Sequence, residues 1–387
     1  MSNPIFKSRI SIFRQDRQKI ITGGLLFAVL ALGAFLRFYR LGESGIGNTY
    51  YAAAVKSMLL SWKNFFFVAS EPGGSLAVDK PPLGFWVQAI SAYFLGLTGF
   101  ALALPNAIAG VLSIFVIYKL VRCPFGPWIG LVAALALAVT PVAVSTERNN
   151  TIDGLLVFVL LLAAWAFLQS VYTAQLRWLL LGAFIVGLGF NVKMLQAFLP
   201  LPAFYALYFF GAQHSWSKKI LHLAAATAML VIVSLSWAVA VDLTPASERP
   251  YVDSTNTNTV MELITGHNGL ERQGFGRESG QLVPLNGIQR GDPDGSVDFG
   301  KAGTLRLFTA PLVGEASWLL PFVLGGLLLL VVVLWKQPFG DAHIAFILWA
   351  GRLLPEMFFF TYSTGLLHVY YLIMLGLPLA ALTAMTA

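Results

Sequence analysis

From residue 20 onward, uncharged apolar runs follow one another with only short interruptions, beginning with IITGGLLFAVLALGAFL at 20–36. A hydrocarbon core about 30 Å thick is crossed by roughly 20 such residues in a helix. Inside lipid the backbone must satisfy its own polar groups, which leaves helices or a closed barrel. Runs of this length select helices. The composition agrees: 57% of the 387 residues are hydrophobic, 11% are charged and the mean hydropathy is +0.73, well outside the soluble range. A soluble domain behind one leader segment is excluded. The single cysteine, Cys123, cannot form an intramolecular disulfide, and no Cys/His cluster has the spacing of a zinc site. Net charge is +7, but many of the basic residues stand where topology signals belong, so the charge gives no reason to expect a nucleic-acid partner.

The segment 1–19 carries Lys7, Arg9, Arg14, Arg17 and Lys19 against Asp16. By the positive-inside rule it is expected to be cytoplasmic. The transmembrane domain then covers 20–387, with spans expected at 20–36, 102–118, 126–144, 152–171, 178–192, 196–212, 220–241, 316–335, 341–362 and 369–387. With 40–101 wholly outside, the connections at Lys119/Arg122, Arg177, Lys218/Lys219 and Lys336 all fall inside. The short aromatic run 83–97 is read as a helix lying at the outer interface. The expected fold is therefore an all-α polytopic bundle of about ten membrane helices, with outer loops at 40–101 and 242–315. The second loop, holding DSTNTNT at 253–259 and RGDPDGS at 290–296, is expected to be irregular. The chain stops within an apolar run, LPLAALTAMTA, which suggests a truncated chain.

Charged residues at membrane depth are costly and are candidates for function. On the expected topology they gather on the outer side. Asp79 and Lys80 precede Pro81 and Pro82, which hold the backbone extended before the interfacial helix. Asp153 opens the fourth span, Lys193 closes the fifth, and His368, Tyr370 and Tyr371 stand between the last two. An acid with several cations beside the headgroups suits a phosphate carried on a lipid, because a fixed cation stabilises charge on a leaving phosphate and a carboxylate can deprotonate an incoming nucleophile or hold a metal ion. Structural readings compete at every position: a surface ion pair for Asp79–Lys80, a helix cap for Asp153, a snorkelling anchor for Lys193, and interfacial hydrogen bonding for His368. Arg352 and Glu356 are expected to pair along their own helix, and Phe65, Phe66 and Phe67 to pack at the interface.

The ordered set KSMLLSWKNFFF, SLAVDKPPLGFWVQAISAYFLG, RNNTIDGLLVFVLLLAAWAF, GFNVKMLQAFLPLPA, LTPASERPYV, HNGL and HVYYLIMLGLPLAAL resembles bacterial membrane glycosyltransferases of family 39. These include protein O-mannosyltransferase-like and aminoarabinose-transferase-like enzymes of the GT-C class, and the likeness covers roughly 20–387. The resemblance implies an inverting hexosyltransferase that uses a polyprenyl-phosphate sugar and an extracytoplasmic protein, lipid or glycan acceptor. It implies catalytic roles among Asp79, Asp153 and Glu43, donor-phosphate binding by Lys80, Lys193, His368 and Tyr371, and substrate contacts from Asn48, Tyr51 and Asn150. Many family members carry an Asp-Glu pair before a Tyr-Ala, and its aspartate is the favoured base. In the register set by Tyr51-Ala52 this chain has Gly47-Asn48, so Asp79 is the favoured substitute. Some relatives bind a divalent metal, so the resemblance leaves room for one, although a carboxylate near one or two histidines is a weak signal. Competing functions are a noncatalytic subunit that binds the lipid-linked sugar, a transporter or flippase, and an oligosaccharyltransferase-like enzyme.

Overall fold

The computed structural model describes residues 4–43, 45–270, 302–310, 312–363 and 368–387. The RGDPDGS stretch lies outside them. The helices in order are α1 (Pro4–Phe38), α2 (Thr49–Met58), α3 (Trp62–Phe67), α4 (Leu83–Leu95), α5 (Gly99–Phe125), α6 (Pro127–Val139), α7 (Pro141–Glu147), α8 (Asp153–Thr173), α9 (Leu176–Lys193), α10 (Leu201–Gly211), α11 (Trp216–Leu243), α12 (Val260–Thr265), α13 (Leu312–Glu315), α14 (Leu320–Trp335), α15 (Asp341–Tyr362) and α16 (Ile373–Thr386). Two strands of two residues each, β1 (Leu76–Ala77) and β2 (Tyr251–Val252), form a parallel pair.

The all-α membrane architecture is as expected. Among the described residues, eight helices are long and apolar enough to cross a membrane, or nine if a bent pair counts as one span. The bend of 59° separates α6 from α7, where Pro141 drives Thr140 into an extended conformation (φ −64°, ψ 119°). The full-length span expected at 196–212 is replaced by a 3-10 turn, Met194–Phe198, and the 11-residue α10. Pro200 and Pro202 flank its start and delay helix formation. Residues 83–97 are likewise a short helix, the 13-residue α4.

Contacts between helix ends fix their directions. Asp153 at the start of α8 pairs with Lys193 at the end of α9, Arg37 at the end of α1 pairs with Glu147 at the end of α7, and β2, just beyond α11, pairs with β1. The Gly303 N–H donates to the Thr361 carbonyl at 3.1 Å, bringing the end of α15 to the segment that leads into α14. One face of the bundle thus collects the ends of α1, α7, α9, α11 and α15. Lys119, Arg122, Arg177, Lys218, Lys219 and Lys336 stand at the other ends of their helices, on the opposite face.

The 40–101 loop is a folded unit. Asn48 caps α2, its Oδ1 accepting from the Tyr51 N–H at 3.0 Å, and Ser61 caps α3 in the same way. The Glu71 carboxylate accepts from the N–H groups of Gly73 and Ser75, closing the turn before β1. The Phe65–Phe67 run packs as expected: Phe65 stacks on Trp86 with centroids 5.5 Å apart, and Trp237 donates its indole N–H to the Phe66 carbonyl at 3.0 Å. Arg352 and Glu356 are 3.3 Å apart and fully buried.

Residues 253–259 are irregular but tied down. Glu262 accepts from the N–H of Asn256 at 2.9 Å, the N–H of Thr257 at 2.6 Å and the Thr257 hydroxyl. These bonds, led by the Thr257 side chain, lower the Glu262 pKa from 4.5 to about 2. A depressed carboxylate contributes stability that is present above its unfolded pKa and is lost as pH falls through the folded one. The turn is therefore expected to keep its amide protection at neutral pH and lose it between about pH 4.5 and pH 2, as read by hydrogen exchange over 253–262; Glu262→Gln should weaken protection at neutral pH.

Candidate active site

The DKPP stretch ends at the N-terminus of α4, and its side chains turn inward. Lys80 is bonded to the Asp79 carboxylate, with side chains 4% and 14% exposed, and its ammonium also donates to the Asp79 carbonyl at 3.2 Å. An exposed surface pair is therefore the wrong description. The second loop completes the cluster: His267 Nε2 lies 3.1 Å from Asp79 Oδ2, and the Asn268 side-chain amide donates to the Asp79 carbonyl at 2.7 Å.

A second acid–lysine pair lies close by. Asp153 and Lys193 are bonded to each other, with side chains 1% and 5% exposed. Lys193 Nζ sits 3.6 Å from the ring centroid of Tyr371 and 5.2 Å from that of Tyr370, a cation–π arrangement. His368 stacks on Tyr370 at 4.9 Å and meets Tyr371 edge-on at 5.3 Å. Lys193 is thus not a snorkelling anchor: its charge points into the protein.

Gly84 joins the two pairs. Four residues beyond Lys80, its ideal Cβ would stand 2.5 Å from Ile152 Cγ2 and 3.6 Å from Val192 Cγ1, the side chains just before Asp153 and Lys193. Only glycine lets the start of α4 approach this junction so closely. The HNGL segment packs just beyond Lys193, since a Cβ on Gly269 would meet Leu195 at 3.5 Å.

The Asn48 N–H donates to Asn150 Oδ1 at 2.7 Å, and Asn150 Nδ2 returns a bond to the Asn48 carbonyl at 2.9 Å. Gln88 in α4 donates to the Asn150 carbonyl at 2.8 Å. The Tyr51 ring packs edge-on against Phe85, centroids 5.0 Å apart. Gly47 has φ +70°, and a Cβ there would lie 2.5 Å from the side-chain oxygens of both Asn149 and Asn150. A carboxylate at position 47 has no room in this arrangement. Glu43 is half-exposed and paired with Arg40 on the turn after α1, so the structure gives it no contact with either buried pair.

The sequence alone did not single out Tyr50, Asp253, His267 or Asn268 as site residues. The Tyr50 hydroxyl donates to Asp253 Oδ2 at 2.8 Å. Its pKa is raised, first by desolvation and then by the nearby Asp79 charge and the Asp253 bond, so it stays a neutral donor through the physiological range. HNGL was a usable signal, standing among the quoted motifs. No group of three or more His, Cys, Asp or Glu side chains fit to hold a metal ion occurs among the described residues; Asp79 and His267 bring two such groups together.

An apolar groove of about 480 Å³ runs between α4, α5 and α8, lined by Ile90, Phe94, Ile108, Leu112, Leu155 and Phe158 among others. One of its lining residues, Leu155, stands two positions after Asp153 in the chain.

The family described as dolichyl-phosphate-mannose-protein mannosyltransferase matches residues 79–237, starting on Asp79. "Putative mannosyltransferase YycA" of Bacillus subtilis (strain 168) is 38% identical over 92% of this chain and 62% of its own length. The chain is thus similar to membrane glycosyltransferases of this kind over most of its length. An undecaprenyl phosphate-alpha-4-amino-4-deoxy-L-arabinose arabinosyl transferase of Pseudomonas fluorescens (strain Pf0-1) is 30% identical over 55% of the chain and 40% of its own length. The chain spans less than two thirds of the length of the curated relatives it matches. In fold it is similar to ArnT from Cupriavidus metallidurans bound to undecaprenyl phosphate, with TM-score 0.61, 17% identity and coverage of 95% of this chain and 59% of that one. It is also similar to the archaeal oligosaccharyltransferase AglB from Archaeoglobus fulgidus in complex with an inhibitory peptide and a dolichol-phosphate, with TM-score 0.60, 15% identity and coverage of 95% and 50%. The chain is a multi-pass membrane protein.

Proposed function

We propose that the chain is the membrane domain of an inverting hexosyltransferase that moves a mannose-like sugar from a polyprenyl phosphate to a protein, lipid or glycan acceptor outside the cytoplasm. The observation that carries this reading is the joining of two buried acid–lysine pairs at one end of the helix bundle by the Gly84 junction. Burial of charge is costly without a purpose, and lysine serves phosphate as a point charge. The description of the matching family and the name of the Pseudomonas relative support a lipid-linked sugar donor. The basic helix ends on the opposite face support a cytoplasmic assignment for that face, and with it the reading of a site outside.

In the reaction the acceptor oxygen forms a bond to the anomeric carbon while the bond from that carbon to the phosphate oxygen breaks, its electron pair passing to the phosphate. The acceptor proton goes to a carboxylate. Asp79 takes it, because its carboxylate keeps 14% of its surface open while Asp153 keeps 1%, and a base must reach the proton it removes. Lys80, and Lys193 beside the Tyr370 and Tyr371 rings, meet the departing phosphate charge in this reading. Asn48, Tyr51 and Asn150 shape the acceptor side. The apolar groove from Leu155 gives the prenyl chain a path.

A second reading is a noncatalytic subunit that binds the lipid-linked sugar; the absence of space for a carboxylate at Gly47 favours it. Release of labelled mannose or glucose from polyprenyl-phosphate donors by the purified protein, with membrane extract as acceptor source, separates the two. Turnover is expected from the native protein and at least a tenfold loss in folded Asp79→Asn and Lys80→Ala. Donor binding without any consumption would favour the subunit, and equal turnover by all three would remove Asp79 and Lys80 from the site.

A further inference from the structure

Helix α8 starts without a cap of its own. Its N-cap residue, Ile152, offers no side-chain acceptor, although a helix start leaves amide groups needing one. Asp153 is the residue the sequence puts forward for that task, yet it is the first residue inside the helix and its carboxylate is turned to Lys193.

The missing acceptor comes from another helix. Oδ1 of Asn106, in α5, accepts from the Leu155 N–H at 3.1 Å. Leu155 is the third residue of α8, where a cap side chain ordinarily bonds. Nδ2 of the same amide donates to the Asn149 carbonyl at 2.9 Å and to the Thr151 carbonyl. Asn106 is 2% exposed, and Gly154 leaves space for it, since a Cβ there would lie 3.2 Å from its Oδ1. One buried amide therefore closes the whole turn 149–155. That turn carries Asn150, bonded to Asn48, and Asp153, bonded to Lys193.

We infer that Asn106 is a positioning residue: it caps α8 in trans, relieves Asp153 of capping, and holds that carboxylate in the register where it meets Lys193. The inference rests on the proposed role of the Asp153–Lys193 pair. An aspartate left to cap its own helix would bend toward the amides at its start and release the lysine. Asn106 makes the two demands compatible.

The test is a double-mutant cycle on the purified protein: native, Asn106→Ala, Asp153→Asn and both together, with labelled polyprenyl-phosphate hexose and rates expressed per folded molecule. Asn106→Ala is expected to lower kcat at least tenfold with less than a threefold change in the donor KM. The double variant should lie within about threefold of Asp153→Asn, because two groups acting through one another do not add. Asn106→Asp, which keeps the acceptor for Leu155 and loses the donors, should fall between native and Asn106→Ala; it enters the same cycle if the alanine variant does not fold. A double variant slowed by the product of the single effects, or an Asn106 variant that loses only folded protein while kcat per molecule is unchanged, would overturn the inference. Asp153→Asn turning over at the native rate would instead overturn the underlying reading of the pair.

Discussion

Arg37→Met is expected to destabilise the protein by about 3–5 kcal/mol, the usual cost of leaving one member of a buried ion pair behind. Arg37 is 0% exposed and Glu147 1%. The guanidinium Nε donates to Glu147 Oε2 at 2.5 Å, and Nη1 to the carbonyls of Gly33 at 3.2 Å and Ala138 at 3.1 Å. Gly110 of α5 makes the space: a Cβ there would lie 2.3 Å from Glu147 Oε2. Removing the arginine strands a carboxylate between helices. Since whole domains are stable by about 5–15 kcal/mol, the fall should be plain in thermal unfolding in detergent. The companion variant Arg37→Met with Glu147→Leu should recover most of the loss, because the expense lies in the stranded charge and Arg37 Nη2 has no hydrogen-bond partner among the described residues in the native protein. If the double variant is as unstable as the single one, the pair is needed for its direction: it pins bent α7 to α1 and so sets where the turn at 149–155 begins.

What the sequence made legible depended on how local the cause was. Apolar run length marked most of the spans, and DKPP before an aromatic helix marked the first pair, because the spacing that produces those features is contained in the features themselves. The bend at Pro141 and the shortening at Pro200 and Pro202 were also local, but apolarity continues through both and hides the break. Partnership was not legible. Asp153 reads as a cap because aspartate before a helical run ordinarily is one; nothing nearby shows that Asn106, 47 residues earlier, has taken that task. Gly47-Asn48 reads as a lost base, and the structure adds why the loss is permanent: the Asn48–Asn150 exchange fills the space. His267 and Asn268 sit in a loop whose composition suggests only irregular chain, and their value comes from β1–β2 and Tyr50–Asp253 drawing that loop onto the first.

Lys193→Met is expected to abolish donor turnover by at least a hundredfold while also costing about 3–5 kcal/mol of stability, and the two effects can be pulled apart. Asp153, 1% exposed, loses its lysine in this variant, so instability alone could silence the proposed turnover. Lys193→Met with Asp153→Leu removes the stranded charge and should return the unfolding temperature close to native, with Tyr370 and Tyr371 packing on the methionine as they do on the ammonium. If the pair exists for chemistry, activity stays lost in the stabilised double variant, because a neutral side chain cannot meet the charge developing on a leaving phosphate. If it exists only to hold α8 against α9, activity returns with stability. Lys193→Arg sharpens the outcome: it keeps the charge but replaces a compact ammonium by a planar fork in a space closed on one side by Tyr371 at 3.6 Å, so it should fold as the native protein does only where that ring can give way, and should regain turnover only to the extent that charge, not shape, is what the donor phosphate needs.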